Sequence, residues 1–274
     1  MLHGTNYTKE TMKKLTASEF SQIILSSGQD SKAYPPDLDD LYFLYSFARD
    51  KSIVSVLEIG SGWSTLALAM AVIENKESFG DAYLSRVRHP NPFQVDSIDA
   101  SAIWSKIALK RLSREQRGIV VPHVSGLQIS EWRGPGGPIC SLFENFPIVS
   151  ADLIYLDGPD SDQVEGNIRG VEFRQPDSLP MAADLLPLEA QMWPGTFIIS
   201  DGRLANVRFL KNNFNRNWEA LTDFYGDRTI LHLEETPLGP VNREHLAMRL
   251  EASRNLLDKR RPLGTDHGNP GSMR

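Results

Sequence analysis

The chain has 274 residues, 41% of them hydrophobic, enough for one large α/β domain or two small ones. Its 29 basic and 35 acidic side chains give a net charge of −6, which argues against a general nucleic-acid footprint. No apolar run reaches the ~18 residues needed to span a bilayer, the first residues lack the apolar core of a signal peptide, and the single Cys140 excludes an internal disulfide; a soluble, cytoplasmic protein is the expectation.

Along the chain, "ASEFSQIILSS" and "LDDLYFLYSFAR" read as helices on either side of "KAYPPD", forming an N-terminal helical cap over residues 1–50. "IVSVLEI" (53–59) reads as a buried strand, followed by an apolar helix from about Ser64 to Ile73 and a long polar insertion over 74–92. "FQVDSID" (93–99) is the second strand. "AIWSKIALKRLSREQ" (102–116) is an amphipathic helix with Trp104, Ile107, Ala108 and Leu112 on one face. "GIVVPHV" (118–124) is the third strand, and Pro122 puts it at an edge or a bulge.

"GLQISEWRGPGGP" then reads as loop and "ICSLFENF" as a short helix. "ADLIYLD" (151–157) and "GTFIISD" (195–201) are the fourth and fifth strands, each ending in an aspartate, with a helix predicted over "SLPMAADLLPLEAQM" between them. After the helix "LANVRFLKNNF", the strands "WEALTDF" and "DRTILHLEE" have no helix between them and should form an antiparallel edge hairpin. Residues 237–274 read as a helix and a disordered tail. The alternation predicts a doubly wound, mostly parallel sheet over residues 51–236.

Ligands of such sheets bind at the carboxyl ends of the strands, where "VLEIGSGWST" places two close glycines. A dinucleotide fingerprint fails at Thr65, which stands where a third glycine belongs, and a phosphate loop fails for want of Gly-Lys-Ser/Thr. The pattern that fits is an acid, two spaced glycines and a serine: Glu58, Gly60, Gly62 and Ser64. In these residues the chain resembles the class I S-adenosylmethionine-dependent methyltransferases. The resemblance implies a seven-stranded sheet of order 3-2-1-4-5-7-6 and a cofactor site at Glu58, Gly60, Ser61, Gly62, Ser64 and Thr65. It extends to a ribose-binding acid at the end of the second strand, Asp99 beside Ala100, with Asp96 the competing choice, and to residues around Ser125 and Asp157.

In the strand order that the resemblance implies, Asp157 and Asp201 end neighbouring strands, so two carboxylates would meet at the ligand-bearing edge. They are the candidate catalytic residues. They resemble the acids of metal-dependent small-molecule O-methyltransferases, which implies Mg²⁺ or another divalent cation held by Asp157 and Asp201. That branch carries Asp or Asn directly after the second acid, where this chain has Gly202; Asp160, Asp162 or water would have to substitute. A metal-free alternative uses Asp157 as general base or orienting acid.

Arg203 reads as a salt-bridge partner, and "GNIRGVEFRQPDS" as a substrate lid or a plain solvated excursion. His123 and His232 read as structural, and Trp63 and Tyr34 as covers for the ligand or packing for the cap. The resulting expectation is methyl transfer to a small-molecule acceptor at oxygen, in a possible homo-oligomer without nucleic-acid or membrane partners. An aminopropyl transferase, a nicotinamide-dependent oxidoreductase and a non-catalytic ligand-binding module are the alternatives.

Overall fold

A computed structural model describes residues 14–28, 34–174, 181–223 and 226–258. The cap helices α1 (Ala17–Ser26) and α2 (Leu38–Asp50) start where the sequence places caps. Thr16 and Glu19 form a reciprocal capping box on α1, and the Asp37 carboxylate accepts the Asp39 and Asp40 amides of α2. The remaining elements are β1 (Ser55–Ile59), α3 (Trp63–Phe79), α4 (Asp81–Arg86), β2 (Gln94–Asp99), α5 (Ala102–Arg111), α6 (Arg114–Arg117), β3 (Val120–Val124), β4 (Leu127–Glu131), β5 (Ile139–Phe143) and β6 (Leu153–Leu156). They continue as β7 (Val164–Glu165), β8 (Phe197–Asp201), α7 (Leu204–Asn213), β9 (Trp218–Asp223), β10 (Arg228–Leu233) and α8 (Gly239–Asp258).

Seven strands form one sheet in the order β3-β2-β1-β6-β8-β10-β9. Numbered within that sheet alone, this is 3-2-1-4-5-7-6, the predicted order. The first five run parallel, and β10 pairs antiparallel with both β8 and β9, so the terminal hairpin lies where its missing crossover helix requires. β3, with Pro122, is an edge strand.

The pleat of the sheet divides its side chains between two cores. Val56, Val95, Leu153, Tyr155 and Ile199 pack with Phe20, Leu44, Tyr45 and the apolar run Leu66–Val72, so the cap is continuous with the main core. Leu57, Ile59, Ile98, Ile154 and Ile198 pack on the other face with Leu127, Cys140, Phe143, Val164, Val207 and Leu210.

Four predicted elements differ. The polar stretch 74–92 is not a simple insertion: α3 continues to Phe79 and α4 follows, with Asn75, Phe79 and Tyr83 buried. The helix predicted over 102–116 breaks at Leu112, because Ser113 and Gln116 cap a new turn. The predicted loop and short helix after β3 are an antiparallel hairpin, β4–β5, joined by β7 into a second sheet. "ICSLF" has apolar residues at helical spacing, yet pairing with β4 prevails, since Leu127 and Phe143 together cover the main sheet. Its turn depends on Gly137, where a Cβ would lie 1.9 Å from the Trp132 carbonyl. The helix predicted over 178–192 begins outside the described residues, and from 181 the chain forms turns and one short 3₁₀ segment, Glu189–Gln191. The tail predicted to be disordered also lies outside the described residues.

Candidate cofactor and acceptor site

The loop between β1 and α3 is held from beneath. Glu58 is fully buried, and its carboxylate accepts hydrogen bonds from Ser64 Oγ at 2.5 Å, Thr65 Oγ1 at 2.7 Å and Ser97 Oγ at 2.6 Å. Burial outweighs these donors and pushes the Glu58 carboxyl up to about 7. Glu58 therefore fastens the glycine loop to β2 and to the start of α3, behind the cavity wall.

The two glycines do different things. Gly60 has φ +98°, and a Cβ there would stand 3.0 Å from the Gly158 nitrogen, so glycine is needed for the loop to pass the end of β6. Gly62 is extended, and a Cβ would meet only Ser64 Oγ at 3.9 Å. Its missing side chain relieves no clash and leaves open space. No side chain caps the N-terminus of α3, so its first amides, at Trp63 and Ser64, border the same space.

That space is a cavity of about 330 Å³ at the carboxyl ends of the parallel strands. Gly60, Ser61, Gly62, Ser64, Asp99, Asp157 and Asp201 all line it, and Gly60 lies against the main chain of Asp157. Asp99 is positioned by two backbone amides, Ser61 N on Oδ2 at 2.8 Å and Ser101 N on Oδ1 at 2.6 Å. Each oxygen keeps a further lone pair for a ligand hydroxyl. Burial raises the Asp99 pKa against these two amides.

Asp157 is exposed to the cavity. Desolvation by the protein around the cavity, with the nearby Asp201 charge, pushes its carboxyl up to about 7. Arg203 does not neutralise it directly: the guanidinium donates to the main-chain oxygens of Pro159 (2.9 Å) and Asp157 (3.2 Å) and lies 3.7 Å from Asp160. Asp201 accepts from the Tyr155 hydroxyl at 3.2 Å, and burial raises its pKa as well.

Of the other predicted residues, Thr65, Ala100 and Ser125 do not line the cavity. Thr65 binds Glu58, while Ser125 accepts the Asn145 amide at 2.8 Å and donates its own amide to the Asp99 carbonyl. Asp96 is occupied by His123 at 2.8 Å and Gln94 at 2.7 Å and is also off the cavity. His232 stacks on Phe197 at 4.4 Å. The Trp63 indole donates to the Tyr34 carbonyl at 3.0 Å and carries the Arg111 guanidinium on its face, and all three residues line the cavity. The stretch around Arg169 is fastened to the hairpin through β7 and the Arg169–Glu131 ion pair, and Arg174 pairs with Glu165.

The sequence reading missed Tyr155, Asp37 and Asp40 as cavity residues. Tyr155 was within reach of it, since a strand of period two puts residues 155 and 157 on the same side. It also missed a buried network at the opposite ends of the strands. There Asp152 accepts the Val54 amide at 2.8 Å and His245 Nε2 at 2.6 Å, Arg249 lies 3.3 Å away, and Tyr83 bonds His245 Nδ1 at 2.6 Å. His89, Asp152 and His245 bring potential metal-ligating atoms within 4.8 Å of one another. However, the Asp152 oxygen that His245 contacts is also paired with Arg249, and these protein partners satisfy it. The partners come from residues 54 to 249, a separation no local pattern spans.

No family model matches the chain, and no curated protein matches it. Solved structures do resemble it. The O-methyltransferase TomG from Streptomyces achromogenes, in complex with S-adenosylmethionine, is 14% identical over 82% of this chain and 92% of that one, with a TM-score of 0.40. An O-methyltransferase from Bacillus cereus in complex with S-adenosylhomocysteine is 16% identical over 82% and 93%, with a TM-score of 0.40. The Podospora anserina methyltransferase PaMTH1, bound to S-adenosylhomocysteine, is 13% identical over 86% and 99%, with a TM-score of 0.43. The strand order of the sheet itself assigns this chain to the Rossmann-like class.

Proposed function

We propose that the protein is an S-adenosylmethionine-dependent methyltransferase acting on a small molecule at oxygen. The observation that carries this reading is one cavity that gathers a glycine loop with open space at Gly62, the uncapped start of α3, the two-amide-held Asp99 and an acidic wall at Asp157 and Asp201. The α3 amides suit the carboxylate of a methionine moiety, and Asp99 suits ribose hydroxyls. When bound, the cofactor supplies a methyl carbon on a sulfonium that leaves as a neutral thioether. The acidic wall favours that positive charge.

The proposed base for the acceptor's hydroxyl proton is Asp157, supported by its position in the cavity lining and a carboxyl raised to about 7. Positioning of the two reactants in the cavity supplies much of the remaining acceleration. A divalent cation fits less well. Gly202 withholds the third side-chain oxygen, and among the described residues no group of three metal-ligating side chains includes Asp157 and Asp201.

Calorimetry with S-adenosylmethionine, S-adenosylhomocysteine and NAD tests the reading. Both sulfur compounds are expected to bind, and Asp99→Ala to weaken them by roughly tenfold or more, the loss of one charged hydrogen-bonding group. Binding of NAD alone would overturn the proposal.

A further inference from the structure

Beyond the glycine loop, the cavity ends against α2 and the tip of β8. Asp40, Tyr155 and Asp201 line this end, and the same three residues line a smaller recess that continues from it. The charges here do not balance. Arg228 is the cation at this end, and it is divided between Asp40 at 3.0 Å and Asp223 at 3.1 Å while its guanidinium lies on the Phe43 ring at 3.8 Å. Among the described residues, one side-chain donor reaches Asp201, the Tyr155 hydroxyl. Tyr155 is 6% exposed, and its hydrogen is committed to Asp201, so its oxygen is left as an acceptor on the cavity side.

We propose that this end of the cavity, formed by Asp201, Asp40 and Tyr155, receives a primary ammonium group of the acceptor molecule. An ammonium carries three N–H donors and no acceptor, and the site offers two carboxylates and a phenol oxygen. Asp40 is paired with Arg228 and 34% exposed, whereas the part-buried Asp201 has no ion pair among the described residues, and a ligand cation supplies the counter-charge it lacks. The acceptor class is then a hydroxyl compound bearing an amine, with the amine held at Asp201 and the hydroxyl presented toward Asp157. The inference rests on the methyltransferase reading for the hydroxyl, but not for the ammonium.

The test is calorimetry on the full chain saturated with S-adenosylhomocysteine, titrated with tyramine, 4-ethylphenol and 4-hydroxyphenylacetate. These phenols have side chains that are cationic, neutral and anionic. Tyramine should bind about tenfold tighter than 4-ethylphenol, with the carboxylate weakest, as expected for one charge-assisted contact. Asp201→Asn should abolish that preference, and Tyr155→Phe should reduce it by roughly threefold. The readout is the ratio of tyramine to 4-ethylphenol affinity within each variant, and urea unfolding midpoints compared with the parent report that both variants are folded.

Equal affinity for the three phenols, or no binding of tyramine, overturns the proposal. So does a Mg²⁺-dependent gain in 4-ethylphenol binding, which would give the carboxylates to a metal. Failure of S-adenosylhomocysteine to bind would count against the methyltransferase reading instead. The three phenols titrated without S-adenosylhomocysteine would still report on the ammonium site.

Discussion

Gly60 and Gly62 lie two residues apart in one motif and answer to different forces. Gly60 is required by its own backbone, with positive φ and the end of β6 against it. Gly60→Ala should therefore destabilise the protein by about 1–3 kcal/mol, the cost of a strained φ plus a backbone contact. Gly62 has an ordinary extended backbone and space around it. Gly62→Val should leave the midpoint of urea unfolding nearly unchanged and weaken S-adenosylhomocysteine binding by tenfold or more, roughly the loss of one well-packed contact. If both variants unfold early and bind normally, the two roles are wrongly assigned. The motif itself was legible in the sequence. Which glycine the backbone requires and which only leaves open space was not, because the distinction depends on Gly158, about a hundred residues downstream.

At the scale of elements, the sheet separates stability from binding. The candidate site lies at the carboxyl ends of the strands, and α8 is anchored at their amino ends through Asn242, His245 and Arg249. Met248 on α8 is 7% exposed and joins the main core. Met248→Ala should cost about 2–4 kcal/mol, the usual price of a buried truncation. Affinity for S-adenosylhomocysteine, measured below the melting temperature, should stay within twofold, since distant independent sites rarely couple more strongly. A larger loss of affinity would show that α8 communicates with the cavity.

Elements also show where sequence patterns mislead. The hairpin β4–β5 went unseen because the three glycines and two prolines of "RGPGGP" dominate its middle, and because "ICSLF" has apolar residues spaced like a helix. Its strand character comes from the partner strand and from the sheet face it covers. The helix α3 ran six residues past its predicted end for a related reason. Asn75 is polar but donates to the carbonyls of Ala48 and Ile53, so a polar residue can be buried there.

For the molecule as a whole, buried ionisable groups set the response to pH. Burial lowers the His89 pKa from 6.5 to about 4, so the folded protein keeps this ring neutral where the unfolded chain protonates it. The unfolded state then binds more protons between these values, and stability falls as pH drops from about 6.5 to about 4, by up to ~3 kcal/mol for this group. Asp157, Glu58 and Asp184 have raised pKa values and act in the opposite sense, favouring the fold as pH falls from about 7. The total curve mixes both signs, so the informative measurement is a difference. His89→Phe keeps an aromatic ring beside Trp193 and His245, which lie 5.2 and 5.4 Å from His89. Urea unfolding at pH 7 and pH 5 should show this variant losing less stability, or gaining more, than the parent on acidification. Equal changes in the two proteins would mean that His89 titrates freely.

The sequence by itself determined the strand–helix alternation, the order of the main sheet once the glycine motif was set beside a known family, and the position of the ligand-bearing edge. These follow from local periodicity and from turn chemistry, which are written in neighbouring residues. It also named Gly60, Ser61, Gly62, Ser64, Asp99, Asp157 and Asp201, all of which line the cavity. Only the tertiary structure decided that Glu58 lies beneath the loop, that Tyr155 and Asp40 complete the acidic end, and that Asp152 gathers partners from β1 and α8. Each of these depends on groups far apart in the chain meeting in a low-dielectric interior, where a buried charge must find its donors across space.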